Sequence, residues 1–257
     1  MCSDFVGRIL LAVSYPPMRL SSEANVGEMS DEEQQVATAA IKVAPNGPYL
    51  VSGAVPLTRR REVFSEHGEP MTWQTTEQVE ATSRYALCRC GDSERKPFCD
   101  GAHARAGFDG TETATESSYA DRSKAYQGTG LAMSDDRSIC VHAGFCGTRV
   151  TNVWKAVGGG DTADSIARMA VINAIEKCPS GALTYRLDGE SQDNEQDLPQ
   201  AIGVVENGPL WVTGGLDVTR SDGVAIENRN RVTLCRCGRS ANKPLCDGAH
   251  KAAGFIG

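Results

Sequence analysis

One sixteen-residue string occurs twice in the chain, and this internal repeat constrains the fold more than any other feature. Residues 88–103 and residues 235–250 share the pattern Cys-Arg-Cys-Gly-x-Ser-x-x-Lys-Pro-x-Cys-Asp-Gly-Ala-His, with twelve of the sixteen positions identical. The likeness extends upstream to an Asn-Gly-Pro turn between short apolar runs, at residues 46–48 and 207–209. A whole small β-rich domain is therefore present once toward each end of the chain.

The repeated cysteines and histidine form a candidate metal site in each copy. Cys-x-Cys places two thiolates on one extended segment, and the third cysteine and the histidine, four residues apart, project from one turn. Four such ligands suit one tetrahedral zinc ion or the two irons of a [2Fe-2S] cluster, and ligand number alone does not separate these. We expect Asp100 and Asp247 to cap short helices. The candidate ligands are Cys88, Cys90, Cys99 and His103 in the first copy, and Cys235, Cys237, Cys246 and His250 in the second.

A third cysteine group lies between the two copies. Cys140 and Cys146 enclose His142, and Cys178 follows later in the string Cys-Pro-Ser-Gly-Ala-Leu. Apolar residues at helical spacing predict a helix over residues 164–177, capped by Asp161 or Thr162. A proline directly after a cysteine is typical of ferredoxin binding runs.

Length and composition favour several small units. The chain has 257 residues, of which 40% are hydrophobic and only 6% aromatic, so each core is thin and needs a metal or another staple. We predict an α+β protein, with two small β-rich units as an intramolecular pseudo-dimer and a small α+β domain inserted between them. An arginine run at residues 59–61, absent from the second copy, is interpreted as a solvated loop. The predicted segments are an N-terminal extension over 1–35, a first copy over 36–110, a middle domain and linker over 111–200, and a second copy over 201–257.

Charge and the N-terminal residues restrict partners and compartment. The net charge is −7 and no Lys/Arg stripe is present, which argues against nucleic acid and anionic membranes as partners. The apolar run over residues 9–13 is too short for a signal peptide or a membrane span. A reducing, cytoplasmic compartment is therefore expected. No nucleophile elbow, phosphate loop or dinucleotide fingerprint occurs, so we predict no catalytic residues and no enzyme activity.

The repeated string resembles the CDGSH (NEET) iron-sulfur family over about 60 residues per copy. The resemblance implies a [2Fe-2S] cluster held by three cysteines and one histidine in each copy. Family members pair as dimers, so two copies in one chain imply an intramolecular pair and a monomer rather than a homodimer. One histidine ligand is expected to raise the reduction potential above that of an all-cysteine site and to make the site sensitive to mild acid.

The middle segment, residues 126–185, resembles the divergent single-cluster 4Fe-4S ferredoxin-like family. The resemblance implies a [4Fe-4S] or a [3Fe-4S] cluster on Cys140, Cys146 and Cys178. A fourth ligand would be His142, a solvent species or an acidic side chain such as Asp136.

These features predict an iron-sulfur protein acting in electron transfer, redox sensing or cluster transfer, with a redox or cluster-acceptor protein as its partner. Two alternatives stay open from the sequence. One is a zinc-stabilised interaction module, which would be colourless and redox silent. The other is an electron-wire subunit of an oxidoreductase whose catalytic centre lies on another chain.

Overall fold

The first copy folds from two short strands on either side of its Asn-Gly-Pro turn. Asn46 adopts a positive φ of 47° and the Gly47 amide donates to the Ala44 carbonyl, which closes the turn. A computed structural model describes residues 38–257, and the predicted extension over 1–35, including Cys2, lies outside them. The elements of the first copy are β1 (Ala40–Val43), β2 (Tyr49–Ser52), β3 (Leu57–Phe64), β4 (Pro70–Val79), β5 (Arg84–Leu87) and α1 (Ala102–Arg105).

The middle segment forms a three-stranded antiparallel sheet with helices packed against it. The strand order is β6-β7-β8, and α3 and α4 both contact this layer. Leu131, Met133 and Ile175 are fully buried in its core. The elements are α2 (Tyr119–Arg122), β6 (Lys124–Gln127), β7 (Leu131–Asp135), α3 (Val153–Gly158), α4 (Ser165–Glu176) and β8 (Leu183–Leu187).

The predicted helix is confirmed, but its cap is not the expected one. The Asp164 carboxylate accepts from the Ile166 and Ala167 amides and begins α4. Asp161 and Thr162 instead lie in a preceding 3-10 turn, and the extended backbone of Asp164, with φ −73° and ψ 132°, separates that turn from the helix.

The second copy repeats the first in shorter form. Asn207 has a positive φ of 50°, as Asn46 does, so both turns have the same geometry. The elements are β9 (Ala201–Val205), β10 (Leu210–Thr213), β11 (Asp217–Thr219), β12 (Arg231–Leu234) and α5 (Ala249–Ala252).

The two copies exchange strands. In one sheet, of order β11-β1-β2-β5, strand β11 of the second copy lies parallel to β1 of the first. In the other, of order β12-β10-β9-β3-β4, strand β3 of the first copy lies parallel to β9 of the second. Each sheet therefore contains strands from both copies, as the predicted pseudo-dimer requires.

One hydrophobic core serves both copies. Tyr49, Leu57 and Leu87 of the first copy are buried together with Ile202 and Leu210 of the second. Because the exchanged strands feed the same core, neither copy buries its apolar face alone. The mixed α+β architecture agrees with the prediction from sequence.

The arginine run does not form the solvated loop that was expected. Residues 59–61 lie in β3, which pairs with β4 on one side and with β9 on the other. The Arg60 guanidinium lies 4.6 Å from the centre of the Trp211 ring. Strand pairing on both sides explains the difference, because it draws the run into the second copy's sheet. We call β3, β4 and their connecting turn, residues 57–79, the hairpin arm.

The helices described over residues 38–257 are short or amphipathic, and none of them has the length and apolar character needed to cross a membrane.

Candidate metal centres

The first outer site consists of two ligand pairs. Cys88 and Cys90 follow β5 and are buried, with their Sγ atoms 3.7 Å apart. In the second pair, Cys99 Sγ lies 3.4 Å from Nδ1 of His103 at the start of α1. The structure thus brings all four predicted side chains of the first copy into two close pairs.

A short antiparallel connection places these pairs side by side. The Cys88 amide donates to the Pro97 carbonyl, and the Cys99 amide donates to the Ala86 carbonyl. Leu87 and Phe98 form an isolated β-bridge between the two segments. The cysteines that follow each bridge residue therefore leave the sheet in the same region.

The spacing within each pair is that of two ligands on one tetrahedral metal ion. Metal–thiolate bonds of about 2.3 Å and metal–imidazole bonds of about 2.0 Å give tetrahedral edges of about 3.75 Å for two sulfurs and about 3.5 Å for sulfur and nitrogen. Among the residues that the structure describes, no three Cys, His, Asp or Glu side chains are grouped to hold a single ion. The geometry fits one metal ion for each pair.

The second outer site has the same geometry in a more buried setting. Cys235 and Cys237 have Sγ atoms 3.8 Å apart, and Cys246 Sγ lies 3.4 Å from His250 Nδ1. Burial raises the pKa of the Cys246 thiol to about 12. Burial, with help from the Lys251 and Arg236 cations, lowers the pKa of His250 to about 4. The imidazole is therefore neutral, as a metal ligand must be, and a thiolate here needs a bound cation to offset its desolvation.

Hydrogen bonds within each ligand loop fix the pairs. The Asp100 carboxylate accepts from the Glu94 and Ala102 amides, and Asp247 repeats this with the Ala241 and Ala249 amides. The expected N-cap role is shifted by one residue, because the N-cap positions of α1 and α5 are Gly101 and Gly248. Each aspartate instead ties the two halves of its loop together.

Two buried arginines between the paired cysteines were missed by the sequence reasoning. Arg89 donates to the Gly110 carbonyl and forms an ion pair with Glu112 at 3.5 Å. Arg236 donates to the carbonyls of Val205, Gly208 and Gly257. Both arginines are 1% exposed, so each locks its Cys-x-Cys segment against the body of the domain. The signal was present, since Cys-Arg-Cys is identical in both copies.

The two outer sites meet at the centre of the pseudo-dimer. Gly91 has a φ of 93°, and a Cβ there would collide with the carbonyl of Cys237. Gly238, with a φ of 74°, faces the carbonyl of Cys90 in the same way. These glycines allow the two Cys-x-Cys loops to pack backbone against backbone.

The middle site is a cavity of about 290 Å³ to which Cys140, Cys146 and Cys178 all contribute. Burial raises the pKa of Cys146 to about 11, and the nearby Cys178 and Cys140 sulfurs add to this rise. Arg137 supplies positive charge, since its Nη1 atom lies 3.5 Å from Cys140 Sγ. Three converging thiols and a neighbouring cation suit an anionic iron-sulfur cluster.

The fourth position of the middle site is less defined by the geometry. His142 also contributes to the cavity, but its Nδ1 atom is 4.0 Å from Cys140 Sγ and its side chain is exposed. Its role as a ligand stays a prediction. Asp136 is already occupied, because its carboxylate accepts from Arg122, the Ser138 amide and the Ser138 hydroxyl.

Comparison with protein families agrees with this arrangement of sites. The family model described as "iron-binding zinc finger CDGSH type" matches residues 46–104 and 207–251. The family model described as "divergent 4Fe-4S mono-cluster" matches residues 126–188. The chain contains two CDGSH-type domains that flank a divergent 4Fe-4S mono-cluster domain. No curated protein matches it.

The matched ranges contain every candidate ligand. The CDGSH matches include the candidate ligands of both outer sites. The 4Fe-4S match includes those of the middle site. The residues present fit iron-sulfur cofactors, since paired thiolate and imidazole ligands and a three-cysteine cavity are the ligand sets that such groups use. This is an iron-sulfur protein.

Proposed function

We propose that the chain holds a [2Fe-2S] cluster at each outer site and a third cluster, of four or three irons, in the middle domain. The observation that carries this proposal is the pairing of ligands. Each outer site offers two pairs with tetrahedral edges of 3.4–3.8 Å, as two irons require. A single zinc ion would need all of its ligands around one point.

The ligand roles follow from the pairs. Cys88 and Cys90 would hold one iron of the first cluster, and Cys99 and His103 the other. Cys235 and Cys237, with Cys246 and His250, would do the same in the second. Cys140, Cys146 and Cys178 would hold the middle cluster. Such clusters supply reversible one-electron chemistry, and the protein orients and shields them.

We propose a non-enzymatic role in which electrons or clusters pass to a protein partner. Nine cysteines in the described part of the chain are free thiols, as expected in the reducing cytoplasm where we place the protein. The acidic charge and the absence of a basic stripe in the sequence agree with a protein partner rather than a nucleic acid or a membrane surface.

Anaerobic redox cycling tests the electron-carrier role. Protein reduced with dithionite and freed of excess reductant should transfer its electrons to cytochrome c, with the visible spectrum returning to that of the oxidised protein. Repeated cycles without loss of colour would support an electron carrier. Loss of iron and sulfide to apo-ferredoxin without net oxidation would support a cluster donor instead. A spectrum unchanged by dithionite would refute the electron-carrier role, and an apo-ferredoxin that gains no iron or sulfide would refute the cluster donor.

A further inference from the structure

The two outer sites differ in exposure although their ligand strings are nearly identical. Cys99 and His103 of the first site are half-buried. Cys246 and His250 of the second site are only 2% and 6% exposed. The difference therefore comes from what packs against each site, not from the ligand string.

The middle domain covers the second site. A Cβ at Gly248, between Cys246 and His250, would lie 2.8 Å from the His142 ring and 3.2 Å from the Val141 carbonyl oxygen. Lys251, next to His250, donates to the His142 carbonyl. The loop over residues 141–145, part of the middle cluster site, thus lies directly on the second outer site.

A buried arginine of the second copy also holds the middle domain against that copy. Arg231, at the start of β12, is 1% exposed and donates to the Ile175 and Glu176 carbonyls at the end of α4. The position that matches it in the first copy is Arg84, which is exposed. This arginine anchor thus joins the middle domain to the second copy and has no counterpart at Arg84.

The hairpin arm also packs against the middle domain beside the second outer site. Trp73 Nε1 donates to the Lys177 carbonyl at 2.9 Å, and Lys177 Nζ donates to the Met71 carbonyl at 2.7 Å. The Trp73 ring also lies 5.3 Å from the Phe145 ring. The arm occurs only in the first copy, yet β3 carries it onto the second copy's sheet. The hairpin arm, present only in the first copy, thus contributes to the difference in exposure between the two outer sites.

His250 is only 6% exposed, although it borders a space that is partly open to solvent. It contributes to a cavity of about 450 Å³, whose walls include Glu62 and Trp73 of the arm and Val141 of the loop. The arm and the loop together are called the cover. The cover therefore forms one side of the approach to His250.

We infer that the two outer sites have different roles: the first is the exchange site, open to metal acceptors and partners, and the second is a protected site closed by the cover. This inference rests on the proposed function, because it assigns cluster exchange to one of the two proposed clusters. The middle domain then shields the second site as well as carrying its own cluster.

Metal loss from the purified holoprotein tests the inference. An excess of an iron chelator is added anaerobically, and native mass spectrometry follows how many irons and sulfides remain bound. We expect one two-iron unit to leave first. The second should leave at about one tenth of that rate or more slowly still, because the cover has to open locally before the second site is reached. His103→Cys should slow only the fast step, which assigns that step to the first site.

A matched pair of glycine variants tests the cover itself. Gly101 and Gly248 hold equivalent positions, with φ values of 83° and 86°, so alanine strains both loops alike. Among residues 38–257, nothing lies within 4 Å of a Cβ at Gly101, whereas a Cβ at Gly248 meets the loop. Gly248→Ala should bring the slow step to within about threefold of the fast one by loosening the cover. Gly101→Ala should leave the slow step unchanged.

Two results would overturn the inference. One is loss of both outer two-iron units at the same rate in the wild type. The other is equal acceleration of the slow step by Gly101→Ala and Gly248→Ala. The proposed function is judged separately, by the mass before chelator is added. A protein that carries zinc refutes the clusters, while the order of metal loss still reports on the cover.

Discussion

Each outer site has one imidazole where other iron-sulfur sites have a thiolate. In the proposed [2Fe-2S] cluster, a neutral imidazole ligand would leave less negative charge than a thiolate, which favours the reduced state. Replacing it with a thiolate, in His103→Cys or His250→Cys, should keep the cluster and lower the midpoint potential by on the order of 100 mV. A redox titration followed by electron paramagnetic resonance measures the shift. An unchanged potential in both variants would mean that neither histidine is a ligand.

The arginine inside each Cys-x-Cys segment is expected to stabilise the fold around its site. Burial lowers the pKa of Arg236 to about 10, so it stays charged at neutral pH while its guanidinium serves three carbonyls. A lysine ammonium group cannot donate to all three carbonyls in the planar arrangement of a guanidinium. Arg236→Lys should therefore lower the free energy of unfolding by about 2–3 kcal/mol. Urea unfolding measures this. Arg239→Lys, at a nearby exposed position, is the control and should change stability by less than about 0.5 kcal/mol; equal effects would contradict the assigned role.

At the residue scale, the repeat showed which side chains to expect together. The four candidate ligands of each outer site were singled out because their string persists while the rest of the repeat has diverged, and the structure places them in close pairs. The partners of Arg89 and Arg231 were not predictable. Their carbonyl acceptors lie far along the chain or in another domain, and no local pattern encodes such a contact.

At the scale of elements, the exchanged strands join both copies into one folding unit. Leu57, in exchanged strand β3, is 1% exposed within the shared core. Leu57→Ala should cost about 2–5 kcal/mol by opening a cavity there. Urea unfolding followed by cluster absorbance and by circular dichroism should give coincident transitions. Met71→Ala, at a 54% exposed side chain of β4, is the control and should have little effect. Separate transitions for the two copies would contradict the shared core.

The sequence predicted these elements better than their pairing. The turns and the helix over residues 164–177 follow from local signals, since glycine, asparagine and apolar spacing act within a few residues. The parallel pairs β1–β11 and β3–β9 join segments from opposite ends of the chain. The arginine run in β3 gave no sign of this pairing, because three consecutive arginines are typical of a solvent-exposed loop. The contact between Arg60 and the Trp211 ring is visible only in the folded structure.

For the whole molecule, intramolecular pairing predicts a monomer. In each sheet, the strand that the other copy contributes comes from the same chain. The pseudo-dimer is therefore formed without a strand from a second chain. Sedimentation equilibrium should give a mass near 27.4 kDa plus bound metal, independent of protein concentration. A concentration-dependent dimer would show that a further surface pairs between chains.

Metal and sulfide analysis of anaerobically purified protein, with the visible spectrum recorded on the same sample, tests whether one chain carries three clusters. We predict a red-brown protein with about eight irons per chain, or about seven if the middle cluster has three, with about eight acid-labile sulfides in either case and no zinc. A colourless protein with zinc and no acid-labile sulfide would contradict the claim and leave two zinc-stabilised modules around an empty cavity.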